Sequence, residues 1–327
     1  MKITDKINLW QTIARGYTIP QSIIPYVFAV VLAAKHYKVD YFLSFLGLIG
    51  VVLVHMSINM LDDCFDWKKG AVEEYKKLLD SGMQARTHKC FYLEQNLTTL
   101  NTVFAVAFSM DAIACLIGLY VAYKVGFSVI IIALFAGIMG FFYSAPPLRL
   151  SYRGLGEIAI AIIFGPLIMF GAYITAGGIL DKPIVLSSII IGVLIANIGH
   201  THAIMDFESD KKVGKTSLPT LVGSKYNAIA VQALAFAFAY FATAVGIWEK
   251  IFPVASILTF LTAPKAVMLV KLMRTQDREK KLWMGALENW KALQKEGSDW
   301  FMMRLCLSRN IAIEFIILLG ITCFIWG

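Results

Sequence analysis

Nine long apolar stretches, separated by charged or Gly/Pro-rich breaks, constrain this chain more than any other feature. They run roughly over 17–34, 41–61, 98–123, 127–144, 155–177, 183–201, 226–248, 251–270 and 309–326. A helix needs about 20 mainly apolar residues to cross a bilayer, and runs of that length predict helices rather than strands. Hydrophobic residues make up 58% of the chain, against about 45–50% in soluble domains. One soluble core could not hide so much apolar surface. The expectation is an all-α, polytopic membrane protein: a bundle of nine transmembrane helices in a single membrane domain over 1–327. Asp111 interrupts the third run, and Lys265 lies near the end of the eighth.

The first sixteen residues are too polar for the apolar core of a cleavable signal peptide. Instead Ile3, Ile7, Trp10 and Ala14 share one face of a predicted helix, with Lys2, Lys6 and Arg15 around it. That pattern predicts a helix lying in the membrane interface over 1–16.

Lys and Arg are retained in short cytoplasmic loops, so their distribution sets orientation. With the N-terminus inside, the outer connections carry only Lys35, Lys38, Lys124, Lys182 and Lys250. Apart from Lys265 in its span, this leaves 24 of the 30 Lys and Arg inside. The charged segments 62–97, 202–225 and 271–308 are then cytoplasmic, the C-terminus is outside, and the protein belongs in the cell (inner or plasma) membrane. The net charge of +8 borders the spans, which points to contact with anionic membrane lipids and not to nucleic acid. Five scattered cysteines without a CxxC pair support neither disulfides nor a zinc site.

The second run leads into Asp62-Asp63-Cys64-Phe65-Asp66-Trp67-Lys68-Lys69-Gly70, and the sixth into Asp206-Phe207-Glu208-Ser209-Asp210-Lys211-Lys212-Val213-Gly214. Both contain D-x-x-x-D-x-K-x-G, 144 residues and four spans apart. An offset of four spans keeps the copies on one side of the membrane, and repeated halves, here 17–177 and 183–327, often build a site at their interface. Residues i and i+4 share a helix face. Asp62 with Asp66, and Asp206 with Asp210, therefore each present two carboxylates in one direction, with Asn59 and Asp63 in reach of the same turn. Two such clusters facing each other call for cations. Mg²⁺ suits them, since it takes one or two carboxylates and fills its shell with water and phosphate oxygens. The expected metal ligands are Asp62, Asp63, Asp66, Asp206 and Asp210, in cytoplasmic Asp-rich loops. Nearby lysines and arginines are placed to meet phosphate charge. His200 and His202 are read as loop residues beside the second cluster.

In these motifs the chain resembles the UbiA superfamily of intramembrane prenyltransferases, nine-helix bundles with an Asn/Asp-rich motif after the second helix and D-x-x-x-D after the sixth. The most specific part is Asp206-x-x-x-Asp210-x-x-x-Gly214-Lys215-Thr216-x-Leu218-Pro219, followed by Leu221-Val222-Gly223. Tyr143-Ser144-Ala145-Pro146-Pro147-Leu148-Arg149-Leu150 is similar to several branches. Tyr152-Arg153-Gly154-Leu155-Gly156-Glu157 is most similar to members that prenylate 1,4-dihydroxy-2-naphthoate for menaquinone. The chain departs from the family pattern at Asp62, where Asn is usual, at Gly70, where many members have a third acid, and at Ala203 and Met205.

The resemblance implies transfer of a polyprenyl group from a polyprenyl diphosphate to an aromatic acceptor, with Mg²⁺. Asp66, Asp210 and Tyr143 are then the expected catalytic residues. Asn59, Lys68, Arg149, Arg153, Lys211 and Lys215 are the expected substrate-binding ones. Other acceptors, such as 4-hydroxybenzoate or homogentisate, are the alternative. A transporter would carry its ionisable groups near the bilayer midplane, a CDP-alcohol phosphotransferase would show D-G-x-x-A-R, and an assembly factor would need no matched acid pairs.

Overall fold

The computed structural model describes residues 3–70, 72, 73, 77, 90–275 and 299–326. Helix α1 (Ile3–Ile13) leads through a 3₁₀ turn at Gly16–Thr18 into α2 (Pro20–His36), with Pro20 at the first helical position, where its missing N–H costs nothing. Asp40 caps α3 (Tyr41–Lys68), its carboxylate accepting from Leu43 N–H at 2.9 Å. After the short α4 (Phe91–Glu94) come α5 (Leu100–Val125) and α6 (Ser128–Ser144). The fifth apolar run is broken in three: α7 (Gly156–Ile162), a π turn at Ile163–Leu167, and α8 (Ile168–Thr175). The π turn holds Pro166, which cannot donate into an α-helical ladder.

The second half begins with α9 (Lys182–Met205), followed by α10 (Phe207–Lys212), α11 (Leu218–Leu221) and α12 (Lys225–Trp248). A 3₁₀ stretch, Val254–Thr262, continues into α13 (Ala263–Leu272), and α14 (Asp299–Trp326) ends the chain. Each apolar run forms helix. Eight segments are long and apolar enough to cross a membrane, while α6, at 17 residues, is shorter.

Three boundaries differ from the sequence expectation: α14 begins at Asp299, ten residues before the apolar run at 309, where polar residues such as Asp299, Arg304 and Ser308 are buried within the helix. Helix α3 continues to Lys68, so Asp62, Asp63 and Asp66 sit on its last turns and not in a loop. The apolar rule stops at the first acid, but Met60, Leu61 and Cys64 stay buried and keep the helical period in contact with α1, α4 and α5. At 28 residues α3 is about 42 Å long, more than the ~30 Å of hydrocarbon it must cross. Its acidic end therefore has room to project. Likewise α9 runs to Met205, so His200 and His202 are helical. Residues 74–76, 78–89 and 276–298, which carry most of two long charged connections, lie outside the described residues.

Helix α9 is the most buried span and packs on α7, the π turn, α12 and α14. It crosses the π turn where two glycines meet. A Cβ on Gly165 would run into the Ser188 carbonyl oxygen, and one on Gly192 into that of Ala161. One apolar core joins α2, α8, α9 and α12–α14, and a second joins α1, α3, α4 and α5. Leu116, Tyr123, Leu234, Phe241 and Leu261 are exposed on the outer surface, as expected where lipid is the solvent. Lys265 meets Glu314 of α14, at 2.5 and 2.6 Å, which answers its charge within the spans. Asp111 of α5 faces Ser57 of α3.

Candidate active site

A cavity of about 370 Å³ lies between α2, α3, α5, α6, the π turn and α8. On α3 it follows one face, through Gly47, Val51, Val54, Ile58 and Asp62. From Gly47 to Asp62 the helix rises about 22 Å. Its inner wall is apolar and built from small residues such as Gly50, Gly118, Ala133 and Gly137. A Cβ on Gly118 or Gly137 would meet open space, so the chain leaves that volume unfilled. Asp62, Asn59, Arg15, Tyr143 and His202 line the polar end.

Four of the five predicted carboxylates are buried: Asp63 at 4% exposure, Asp66 at 5%, Asp206 at 8% and Asp210 at 1%. Buried charges need partners, and each has them. Arg15 donates to Asp62 Oδ2 at 2.8 Å and to Asp63 Oδ1, Ser144 Oγ donates to Asp62 Oδ1, and Tyr92 Oη donates to Asp63 Oδ2 at 3.0 Å. Burial alone would lower the Arg15 guanidinium, but the charges of Asp63 and Asp62 outweigh it and hold it well above its ordinary value. Burial, then the charge and hydrogen bond of Asp63, push the Tyr92 hydroxyl well up. Asn59 donates to Ala14 O and Thr18 Oγ1, both at 3.1 Å, and so holds the N-terminal turn against α3.

The two motifs meet through Tyr152. Its hydroxyl donates to Asp66 Oδ1 at 2.7 Å, while Lys69 Nζ lies 3.5 Å and Lys215 Nζ 5.5 Å from its ring centre. Lys215 in turn pairs with Asp210 Oδ1 at 3.7 Å, and His202 Nε2 lies 3.5 Å from Asp206 Oδ2. A backbone strap fixes this arrangement: Arg153 bridges Thr216, and Gly154 N–H donates to Thr216 O at 2.7 Å. Gly154 has φ +73°, a conformation glycine adopts without strain, and Leu221 packs against it. Burial first, then Arg149 and Lys215, lower the Lys69 ammonium, with Asp66 acting in the opposite sense. Cations and carboxylates thus alternate around Tyr152 and the last turns of α3, one turn beyond Asp62 at the cavity's polar end.

Of the predicted residues, Asn59 and Asp62 line the cavity, Asp66, Lys215 and Asp210 are linked through Tyr152, Asp63 meets Arg15 and Tyr92, Asp206 meets His202, and Arg149 acts on the Lys69 ammonium. Tyr143 lines the cavity wall, its hydroxyl beside Gly156. Lys68 turns instead over the Phe104 ring, 4.5 Å away, and the neighbouring Lys69 faces Tyr152. Arg153 is exposed and donates to Pro147 O at 3.0 Å, and Lys211 is exposed on α10. Sequence reasoning missed Arg15, Tyr92, Ser144 and Lys69 as site residues. Tyr152 was visible only as part of its motif.

The donor set can be weighed against a divalent cation. Among the described residues, no three His, Cys, Asp or Glu converge into a ready-made metal cluster. The carboxylates come as separated acids with cations between them. That does not suit a closed, all-protein site. It does suit Mg²⁺, which binds through one or two carboxylates and substrate phosphate oxygens.

Fold and site together define a multi-pass helical membrane protein with an acid-and-cation mouth over a deep apolar cavity. The chain belongs to the UbiA prenyltransferase family, whose sequence model matches residues 22–289. It is 28% identical over 274 residues to the 1,4-dihydroxy-2-naphthoate octaprenyltransferase of Bacillus subtilis, covering 80% of this chain and 81% of that one. It is 32% identical over 140 residues to the 2-carboxy-1,4-naphthoquinone phytyltransferase of Synechocystis, covering 41% and 43%. In fold it is similar to a solved structure described for digeranylgeranylglyceryl phosphate synthase, with TM-score 0.60, 16% identity and coverage of 98% and 99%. A UbiA homologue from Archaeoglobus fulgidus bound to GPP and Mg²⁺ gives TM-score 0.57 at 15% identity, with coverage of 92% and 99%.

Proposed function

We propose that the protein transfers a polyprenyl group from a polyprenyl diphosphate to an aromatic acceptor, 1,4-dihydroxy-2-naphthoate, in menaquinone biosynthesis. The observation that carries the reading is the junction of an apolar cavity of about 370 Å³ with a polar end beside which buried carboxylates and cations alternate. A prenyl diphosphate has the same two-part character. Its tail would lie along the glycine-rich face of α3 and α6, and its headgroup at Asp62, Asp66 and Asp210.

Mg²⁺ held by acids of this set, when bound, would neutralise charge on the departing diphosphate. Lys69, Lys215 and Arg149 are placed to meet the remaining negative charge. The allylic C–O bond breaks with its electron pair leaving on the diphosphate oxygen. A ring carbon of the acceptor then supplies the pair for the new C–C bond, and the group displaced from that carbon leaves without its electrons. Tyr143, on the cavity wall near Asp62, presents an aromatic face to the allylic cation. Burial of the cavity keeps water from capturing that cation.

The naphthoate assignment is supported by the Tyr152–Glu157 segment and by the Bacillus subtilis relative. We read nine spans, counting α6, with the N-terminus and both acidic motifs cytoplasmic and the C-terminus outside, in the cell membrane. The test is a panel of acceptors offered with geranylgeranyl diphosphate to the purified protein, with Mg²⁺ or with EDTA. Prenylated naphthoate should form only with Mg²⁺, ahead of any 4-hydroxybenzoate product. Turnover of 4-hydroxybenzoate or homogentisate without naphthoate would overturn the acceptor, and no prenyl product from any acceptor would overturn the reaction.

A further inference from the structure

Among the described residues, two arginines and no lysine line the cavity. Arg15 is engaged with Asp62 and Asp63. The other, Arg309, enters from α14, outside both acidic motifs, and is 8% exposed. Met302, Leu305, Cys306 and Arg309 all line the cavity, and their i, i+3, i+4, i+7 spacing puts them on one helix face. Arg304 lies on another face and has a structural task, donating to the carbonyls of Trp300, Leu272 and Thr275. The depth of Arg309 is fixed by its neighbour, since Thr201 Oγ1 donates to Ser308 Oγ at 3.0 Å. Arg309 thus sits level with the turn of α9 that carries His202, which lines the polar end and lies 3.5 Å from Asp206.

We infer that Arg309 is the seat of the acceptor's carboxylate, and so selects aromatic acids over the same rings without one. This rests on the prenyl-transfer reading above. An ionisable residue within a membrane span is costly and commonly marks a substrate path. Low-dielectric walls strengthen the field of a charge in a cleft and favour a guest of opposite sign. A guanidinium has five N–H donors, so a single protein neighbour does not exhaust it. Its planar fork meets a carboxylate through two parallel bonds, which fixes the plane of the guest as well as its position. The reading brings two anions to the site, the diphosphate and the acceptor's carboxylate. The diphosphate has cations elsewhere, because Lys69 and Lys215 lie by the Tyr152 ring, beyond Asp62. Arg309 instead shares its cavity face with the apolar Met302 and Leu305. A charged fork beside an apolar surface suits a flat aromatic acid better than a compact, highly charged diphosphate.

The test is steady-state kinetics on the full chain in lipid nanodiscs, with Mg²⁺ and geranylgeranyl diphosphate. It compares 1,4-dihydroxy-2-naphthoate with 1,4-dihydroxynaphthalene, the same ring without the carboxylate. The wild type should show the lower KM for the naphthoate. Loss of charge-assisted hydrogen bonds should raise the naphthoate KM of Arg309→Gln roughly ten- to a hundredfold, towards that of 1,4-dihydroxynaphthalene. The KM values for 1,4-dihydroxynaphthalene and for geranylgeranyl diphosphate should hardly move. Arg309→Lys keeps the charge without the fork and should also raise the naphthoate KM alone, which carries the test if Arg309→Gln fails to fold. An unchanged naphthoate KM in the folded variants would overturn the seat. A rise in the diphosphate KM instead would assign the arginine to the diphosphate, and a parallel rise for both acceptors would show a structural role; either overturns it. Failure of the wild type to prenylate any acceptor would remove the underlying reading and the seat with it.

Discussion

Tyr152 serves the site with two different parts of its side chain. The hydroxyl donates to Asp66, and the ring face lies beneath Lys69 with Lys215 further off. A hydrogen bond to a charged group contributes about 1.5–3 kcal/mol. Tyr152→Phe, which keeps the ring, should therefore lower kcat/KM roughly ten- to a hundredfold. Tyr152→Leu removes the cation–π contact as well and should fall further. Steady-state kinetics against prenyl diphosphate check both, and wild-type values for Tyr152→Phe would show the hydroxyl idle. The acids themselves were legible from sequence, because the i, i+4 spacing repeated with matching Lys and Gly fixes which carboxylates share a direction. Their partners were not. Tyr152 is 86 residues from Asp66, and Arg15 is 47 residues from Asp62, so only the fold brings them together. The repeated D-x-x-x-D-x-K pattern points to Lys68, whereas Lys69, just past the end of α3, is the lysine that faces Tyr152.

Among the elements, the crossing of α9 with the π turn leaves least room for change. Small residues let helix backbones approach closely in a membrane bundle, and here the obstacles to a Cβ are backbone atoms: Ala161 O and Gly165 Cα for Gly192. Neither can swing away as a side chain would. Gly192→Ala should destabilise by about 1–3 kcal/mol, visible as a lower Tm in detergent. Gly137→Ala, whose Cβ meets open space in the cavity, should leave Tm nearly unchanged. Equal Tm values would contradict the packing account. Run length alone located the eight segments long and apolar enough to cross a membrane, and the shorter α6. It did not show the π turn around Pro166 or the 3₁₀ stretch at Val254–Thr262, because both satisfy the same apolar pattern as an α-helix. It also ended α3 and α9 too soon, since a hydropathy rule cannot distinguish a helix that leaves the membrane from one that stops.

Across the whole molecule, the four-span offset between the motifs lets two distant segments of the chain come into contact through Tyr152 and Lys215. Asp66 enters from the end of α3 and Asp210 from α10, and the loop carrying Tyr152, strapped to Thr216, links them: its hydroxyl meets Asp66, and Lys215, 5.5 Å from its ring centre, pairs with Asp210. The central claim is that these two acids, one from each half, serve a single Mg²⁺-dependent prenyl transfer. The most direct measurement is Mg²⁺-dependent diphosphate release from a prenyl diphosphate, with 1,4-dihydroxy-2-naphthoate present, for wild type, Asp66→Ala and Asp210→Ala in the same membranes. Each variant should insert normally and lose on the order of a hundredfold or more in rate, the scale expected when transition-state charge loses its stabilising partner. Release at the wild-type rate by both variants would contradict the account.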